Sequence, residues 1–155
     1  MKLSQLENNI KNKKSFLCLG LDTDIEKIPK HLLDYSDPVF EFNKVLIDEL
    51  NKKIVAVKLN TAFYESRGAE GWTSMKKTIN YLNKYYTELF TIADAKRGDI
   101  GNTSKMYAKA FFENLNFDSI TLSPYMGMDT VSEFMDYEEK YPIILALTSN
   151  QGAED

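Results

Sequence analysis

Five short apolar runs recur along the chain: Phe16–Leu21, Ile54–Leu59, Leu89–Ala93, Ser119–Leu122 and Ile143–Leu147. They are continuous rather than alternating. A strand that is apolar at nearly every position expects burial on both faces, the condition of a parallel sheet. Segments of helical period separate the runs. Val39, Phe42, Leu46 and Leu50 share one helical face, and Ser36-Asp37-Pro38 before them supplies a start signal with proline near the first position. Trp72, Met75, Ile79, Leu82 and Tyr86 form a second stripe. Thr103–Leu115, carrying Met106, Ala110 and Phe111, predicts a third helix, and Met128–Lys140 a fourth. Leu3, Leu6 and Ile10 mark a short amphipathic helix ahead of the first run. Core packing accounts for these methionine and aromatic stripes. The order β-α-β-α-β-α-β-α-β predicts a single α/β domain over 1–155, with parallel strands joined by right-handed crossovers. Both a doubly wound sheet and part of an eight-stranded barrel satisfy that pattern, and periodicity does not choose between them.

Composition removes several classes of function. Lys and Arg number 19 against 23 acidic residues in 155, so the net charge is 19 − 23 = −4. No basic stripe is present to follow a nucleic-acid backbone, whereas a small anionic substrate needs only two or three local cations. The single cysteine, Cys18, excludes an internal disulfide and a cysteine-clustered zinc site. Its apolar surroundings predict a buried structural thiol. The only histidine, His31, lies in a polar connection and reads as a solvated side chain, which leaves a Ser-His-Asp or Cys-His mechanism without a base. The first residues carry charges where a signal peptide needs an apolar stretch. No run approaches the ~18 apolar residues of a membrane span. A cytoplasmic protein is expected.

Ligands bind at the carboxyl ends of strands in either architecture. Those ends read Asp22; Lys58 and Asn60; Asp94 and Lys96; Ser123-Pro124-Tyr125; and Thr148-Ser149-Asn150. Charged groups beside buried strands are costly unless paired, so a network is implied. Each residue alone is equally an ordinary ion pair or a cap, and only their joint placement on one rim points to function. The third end, Asp94-Ala95-Lys96-Arg97-Gly98-Asp99-Ile100-Gly101-Asn102-Thr103, is the most informative. Side chains two apart in an extended segment share a side, which puts Asp94 with Lys96. Gly98 can turn the chain before Asp99, and Asn102 or Thr103 can cap the helix that follows. Two lysines and two aspartates can then interleave, holding a lysine protonated beside a carboxylate. Asp99 as a loop solubiliser and Asp94–Lys96 as a rim salt bridge is the plainer alternative.

Asp-x-Lys-x-x-Asp-Ile-Gly-Asn-Thr, following a lysine at the previous strand end, resembles the signature of the orotidine-5′-phosphate decarboxylases. Lys58-Leu59-Asn60, Thr61-Ala62-Phe63-Tyr64-Glu65, Ser123-Pro124-Tyr125-Met126-Gly127 and Leu147-Thr148-Ser149-Asn150 are similar to the longer bacterial branch of that family. The resemblance implies a (β/α)₈ TIM barrel, of which this chain supplies about five strands, and a homodimer with shared active sites. It implies decarboxylation of orotidine 5′-phosphate to uridine 5′-phosphate in pyrimidine biosynthesis, with no cofactor and no metal. It assigns Lys96 as proton donor to C6 of the pyrimidine, Asp94 beside the scissile carboxylate, and Lys58 as holding Asp94 and the ribose. Asp99 completes the array and, with Thr103, reaches across from the second subunit. Asp22 binds ribose hydroxyls, Asn60 joins the substrate-binding residues, and Thr148 and Ser149 lie along the pyrimidine edge.

Two alternatives stay open at this stage. The Asp-x-Lys-x-x-Asp core is shared with magnesium-dependent sugar-phosphate decarboxylases and synthases of the same superfamily, and a half-barrel that only binds a nucleotide fits as well. The sequence stops just after the fifth run, whereas a full barrel usually takes ~250 residues. The family's phosphate site, built by late loops with a glutamine and an arginine, has no counterpart here. An amino-terminal part of a barrel, inactive alone, is therefore expected.

Overall fold

The computed structural model describes residues 1–154. Its centre is a parallel sheet in the order β1-β2-β3-β4-β5, built from Cys18–Gly20, Ala56–Asn60, Phe90–Arg97, Ser119–Leu122 and Tyr141–Ile144. Each new strand joins the sheet on the same side as the one before. A doubly wound sheet reverses direction at a switch point; this one never does. Right-handed crossovers that always step the same way put their helices on one face, and this is the wall of a (β/α)₈ barrel. Strand order thus decides what periodicity left open.

The helices are α1 (Leu3–Lys13), α2 (Pro38–Leu50), α3 (Ala62–Glu65), α4 (Gly68–Tyr85), α5 (Gly101–Ala108) and α6 (Met128–Met135). Helix α2 begins as its sequence dictates. Asp37 caps it by accepting from the Phe40 N–H at 3.1 Å, and Pro38 takes the first turn, where a missing N–H costs nothing. The outer side chains of the sheet, Val57, Leu59, Ala93, Ile120 and Leu122, are buried in one cluster with Ile47 of α2, Met75, Ile79 and Leu82 of α4, and Phe134 of α6.

Several boundaries differ from the sequence reading, each for a local reason. The last strand is Tyr141–Ile144 rather than 143–147, because its ladder with β4 starts at Ser119↔Tyr141. The first strand shortens to Cys18–Gly20, and Phe16 is 87% exposed, since β1 has only β2 beside it. Cys18 is exposed too, correcting the expected buried thiol: it shares the uncovered face of the sheet with Ala56, its register partner. The third helix starts at Gly101, with Ile100 at its cap position, so neither Asn102 nor Thr103 caps it. After Ala108 it loosens into a π-helical turn, Lys109–Asn114, which buries Phe111 and Phe112 and leaves Met106 exposed. Helix α6 ends at Met135, and α3 is a single turn too short to show a period. Helix α1 forms as expected but contributes no fully buried residue.

Candidate active site

The inner face of the sheet turns polar at the carboxyl ends of its strands. Register sets this up: Lys58 pairs with Gly20 on one side and Ile92 on the other, and Asn60 pairs with Asp94. Lys58, Asn60 and Asp94 therefore project from the same face, away from the helices. The Lys58 ammonium lies 2.9 Å from Asp22 Oδ1 and 3.6 Å from Asp94 Oδ2. The Lys96 ammonium lies 2.7 Å from Asp94 Oδ1. Asn60 Nδ2 donates a long hydrogen bond, 3.5 Å, to Asp22 Oδ2. Five of the sequence-derived candidates (Asp22, Lys58, Asn60, Asp94, Lys96) thus meet on one rim in the alternation aspartate, lysine, aspartate, lysine.

Asp94 is the hub. Its side chain is only 13% exposed, whereas that of Lys96 is 50% exposed. Burial alone pushes the Asp94 carboxyl up. Hydrogen bonds from Lys96 and the Thr121 hydroxyl, with the charges of Lys96 and Lys58, outweigh burial and hold it below the ordinary carboxylate range. A carboxylate fixed in its charged form, with an ammonium on each oxygen, results.

Lys96 does not reach Asp94 by simple strand alternation. Between Ala93↔Ile120 and Arg97↔Leu122, the three residues Asp94, Ala95 and Lys96 lie opposite Thr121 alone, which is a bulge. Within it Lys96 takes φ +48°, a left-handed conformation for a residue with a Cβ. Such a residue stores on the order of 1–3 kcal/mol and persists only where its surroundings hold it. Outside the rim, Arg97 pairs with Glu65, and its guanidinium stacks over Tyr107 at 5.3 Å and Phe111 at 5.6 Å. The strand is thereby pinned just past the bulge. Gly98 then passes so close to β4 that an added Cβ would sit 2.6 Å from the Ser123 carbonyl oxygen. The sequence reading gave this glycine a turning role; close approach is what requires it here.

Behind β1 the Asp22 segment rests on a buried polar network. Thr23 donates to Asn43 Oδ1 at 2.6 Å, the Asn43 amide donates to Tyr64 at 3.0 Å and Thr78 at 3.1 Å, and Tyr64 donates to the Leu21 carbonyl at 2.9 Å. Burial raises the Tyr64 phenol well above its ordinary value, so it remains a donor. Sequence reasoning missed Thr121, Asn43 and Tyr64. Thr121 had a signal: in the run Ser119-Ile120-Thr121-Leu122 the polar residues alternate, marking one face as different.

The other candidates are not in this cluster. The Asp99 carboxylate accepts the Ile100 N–H at 2.8 Å, and among the described residues no ion pair joins it to the rim. Thr103 lies in the first turn of α5, its N–H on the Ile100 carbonyl at 3.0 Å. Thr148 and Ser149 are exposed beyond β5, where Thr148 bonds Asn150 at 2.6 Å.

Fold and rim together define an α/β-barrel protein with a lysine–carboxylate array at its strand ends. The Orotidine 5′-phosphate decarboxylase / HUMPS family profile matches residues 15–155, and the chain belongs to that family. The orotidine 5′-phosphate decarboxylase of Flavobacterium johnsoniae is 61% identical over the whole chain, which corresponds to 57% of that relative's length. Among solved structures, the OMP decarboxylase of Leishmania donovani superposes with a TM-score of 0.84 at 35% identity, over 99% of this chain and 57% of its own. The UMP synthase of the same organism gives 0.85 at 35% identity, over 99% of this chain and 32% of its own. The chain spans little more than half the length of the curated relatives it matches. Among the described residues no helix is long and apolar enough to cross a membrane.

Proposed function

We propose that this chain carries the reaction rim of an enzyme that decarboxylates orotidine 5′-phosphate to uridine 5′-phosphate in pyrimidine biosynthesis. The observation that carries this reading is the Asp94 carboxylate held between the ammoniums of Lys58 and Lys96. The C6–carboxylate bond breaks, carbon dioxide leaves, and the electron pair stays on C6 as a vinylic carbanion. Such a carbanion is a strong base, and fixed positive charge in a closed site is its natural stabiliser. Lys96 supplies that charge and then delivers a proton to C6, recovering its own from water. Asp94 pairs with the Lys96 ammonium and crowds the substrate carboxylate. Lys58 balances Asp94 and reaches the ribose, with Asp22 and Asn60 beside it. Thr148 and Ser149 border the pyrimidine. A cytoplasmic homodimer brings Asp99 and Thr103 of a second copy to the rim.

The test is turnover of orotidine 5′-phosphate by the 155-residue chain, alone and joined to the carboxyl-terminal remainder of the F. johnsoniae relative. The chimera should turn over in the presence of EDTA, which a magnesium-dependent sugar-phosphate enzyme would not survive. The chain alone should stay near background, because grip on a remote phosphate is used to position the reacting ring. A folded chimera with no turnover overturns the reading. The dimer has its own test. Neither Lys96→Ala nor Asp99→Ala homodimers should work, yet a random mixture should regain about a quarter of full activity through sites with neither defect. Proven exchange without recovery would place Asp99 in its own subunit's site.

A further inference from the structure

The hydroxyl of Thr121 on β4 touches both halves of the central ion pair. It donates to Asp94 Oδ1 at 2.9 Å, the same oxygen that takes the Lys96 ammonium at 2.7 Å. It also accepts the Lys96 backbone N–H at 2.9 Å. That N–H sits in the bulge, where Thr121 stands alone opposite three residues of β3. This part-buried N–H would lose its protein acceptor without the hydroxyl, and the left-handed turn at Lys96 would lose a contact that holds it. Thr121 is itself only 7% exposed.

We propose that Thr121 is a positioning residue for the decarboxylation assigned above, on which this inference rests: its one hydroxyl fixes both the backbone that aims Lys96 and the carboxylate that receives it. The groups facing Asp94 are Lys58 from β2, Lys96 from its own strand and Thr121 from β4, with Asp22 behind Lys58. Of these, Thr121 alone is uncharged, and it alone also bonds the bulge backbone. Its hydrogen bond favours the charged carboxylate, so removing it should raise the pH at which Asp94 gains a proton.

Thr121→Ala and Thr121→Ser, which differ by one oxygen, test this in the chimera. The alanine variant should lose roughly 10–100-fold in kcat, as expected for losing hydrogen bonds to a charged group, with KM changed less than about threefold. The acidic limb of its pH profile should move to higher pH. The serine variant should stay within about threefold of the parent on every measure. In parallel, carbon-13 NMR of the Asp94 carboxyl, assigned with Asp94→Asn, should show a raised titration midpoint in Thr121→Ala and none in Thr121→Ser. Equal behaviour of the two variants, or an alanine variant with parental kcat and parental Asp94 titration, overturns the proposal. A parent with no turnover overturns the decarboxylase reading instead, and the Asp94 titration then decides the role of Thr121 by itself.

Discussion

The two faces of the sheet obey different rules. On the outer face Val57, Leu59, Ala93, Ile120 and Leu122 are wholly buried against helices. On the inner face, one residue away along the same strands, stand Lys58 and Asp94, with Lys96 brought beside them by the bulge, all with some exposure and all ionic. The outer face stabilises through area and shape, at roughly 25 cal/mol per Å² of apolar surface. The inner face holds a strained lysine and three nearby charges whose pairing around Asp94 largely offsets the cost of burying that carboxylate. Alternation along a strand therefore separates stability from chemistry at single-residue resolution.

That separation breaks most visibly at Lys96. Lys96→Ala should lower turnover by more than the ~10²–10⁴-fold of an ordinary general acid, because it removes the charge and the proton together. Its melting temperature should barely move, and product nucleotide should still bind. More than about a tenth of the parental rate would remove Lys96 from its role. Lys96→Gly should be just as inactive yet more stable than Lys96→Ala by about 1 kcal/mol, since glycine takes φ +48° freely.

Phe117→Ala should do the reverse. Phe117 is fully buried and its ring meets that of Phe111 at a tilt, so truncation should cost about 3–5 kcal/mol by denaturant titration. The ratio kcat/KM of the fraction that remains folded should be nearly unchanged. A catalytic loss without a stability loss would mean the faces are coupled. Gly98→Ala probes the seam between them. A Cβ 2.6 Å from a backbone oxygen forces β3 and β4 apart, at about 1–3 kcal/mol, and should lower both stability and turnover.

The smallest effect concerns Asp37, the α2 cap. Burial pushes its carboxyl up, but bonds from Ser74 at 2.8 Å, Lys77 at 3.0 Å and the Phe40 N–H bring it below the ordinary value. A carboxyl lowered in the folded state adds stability that is full above the unfolded value, ~4, and is lost as pH falls through the lower folded one. Asp37→Asn keeps a capping oxygen and removes the titration. It should cost about 1 kcal/mol at neutral pH and flatten the loss of stability on acidification, read from melting temperatures between pH 6 and about 3. An unaltered acid slope would show that Asp37 does not carry that dependence.

What the sequence revealed follows the same division. Apolar runs and stripes disclosed the sheet, the helices and the parallel order, because outer-face burial imposes a period. Asp22, Lys58, Asp94 and Lys96 were legible because charges beside buried strands stand out against that background. For Thr121 the alternation of Ser119 and Thr121 marks only a face, and its partner emerges when register places it opposite Asp94. The bulge was not legible, since it depends on how two strands align rather than on either alone. Met106 misled because a loosening of the helix into a π-turn rotates the stripe away from it. Asp99 and Thr103 stand apart from the rim in the single chain, Asp99 accepting the Ile100 N–H and Thr103 in the first turn of α5.

The strand order has a consequence for how such a chain comes into being. Every sheet neighbour in β1-β2-β3-β4-β5 is also the neighbour in sequence. A ribosome releasing the chain from its amino end always exposes next the strand that the growing sheet can accept, so assembly can keep pace with synthesis and need not wait for a distant segment. Lys58 and Asp94 emerge in that order, and the bulge at Lys96 closes only when Thr121 arrives. Lys96 would then be set in place late, after the wall behind it has hardened.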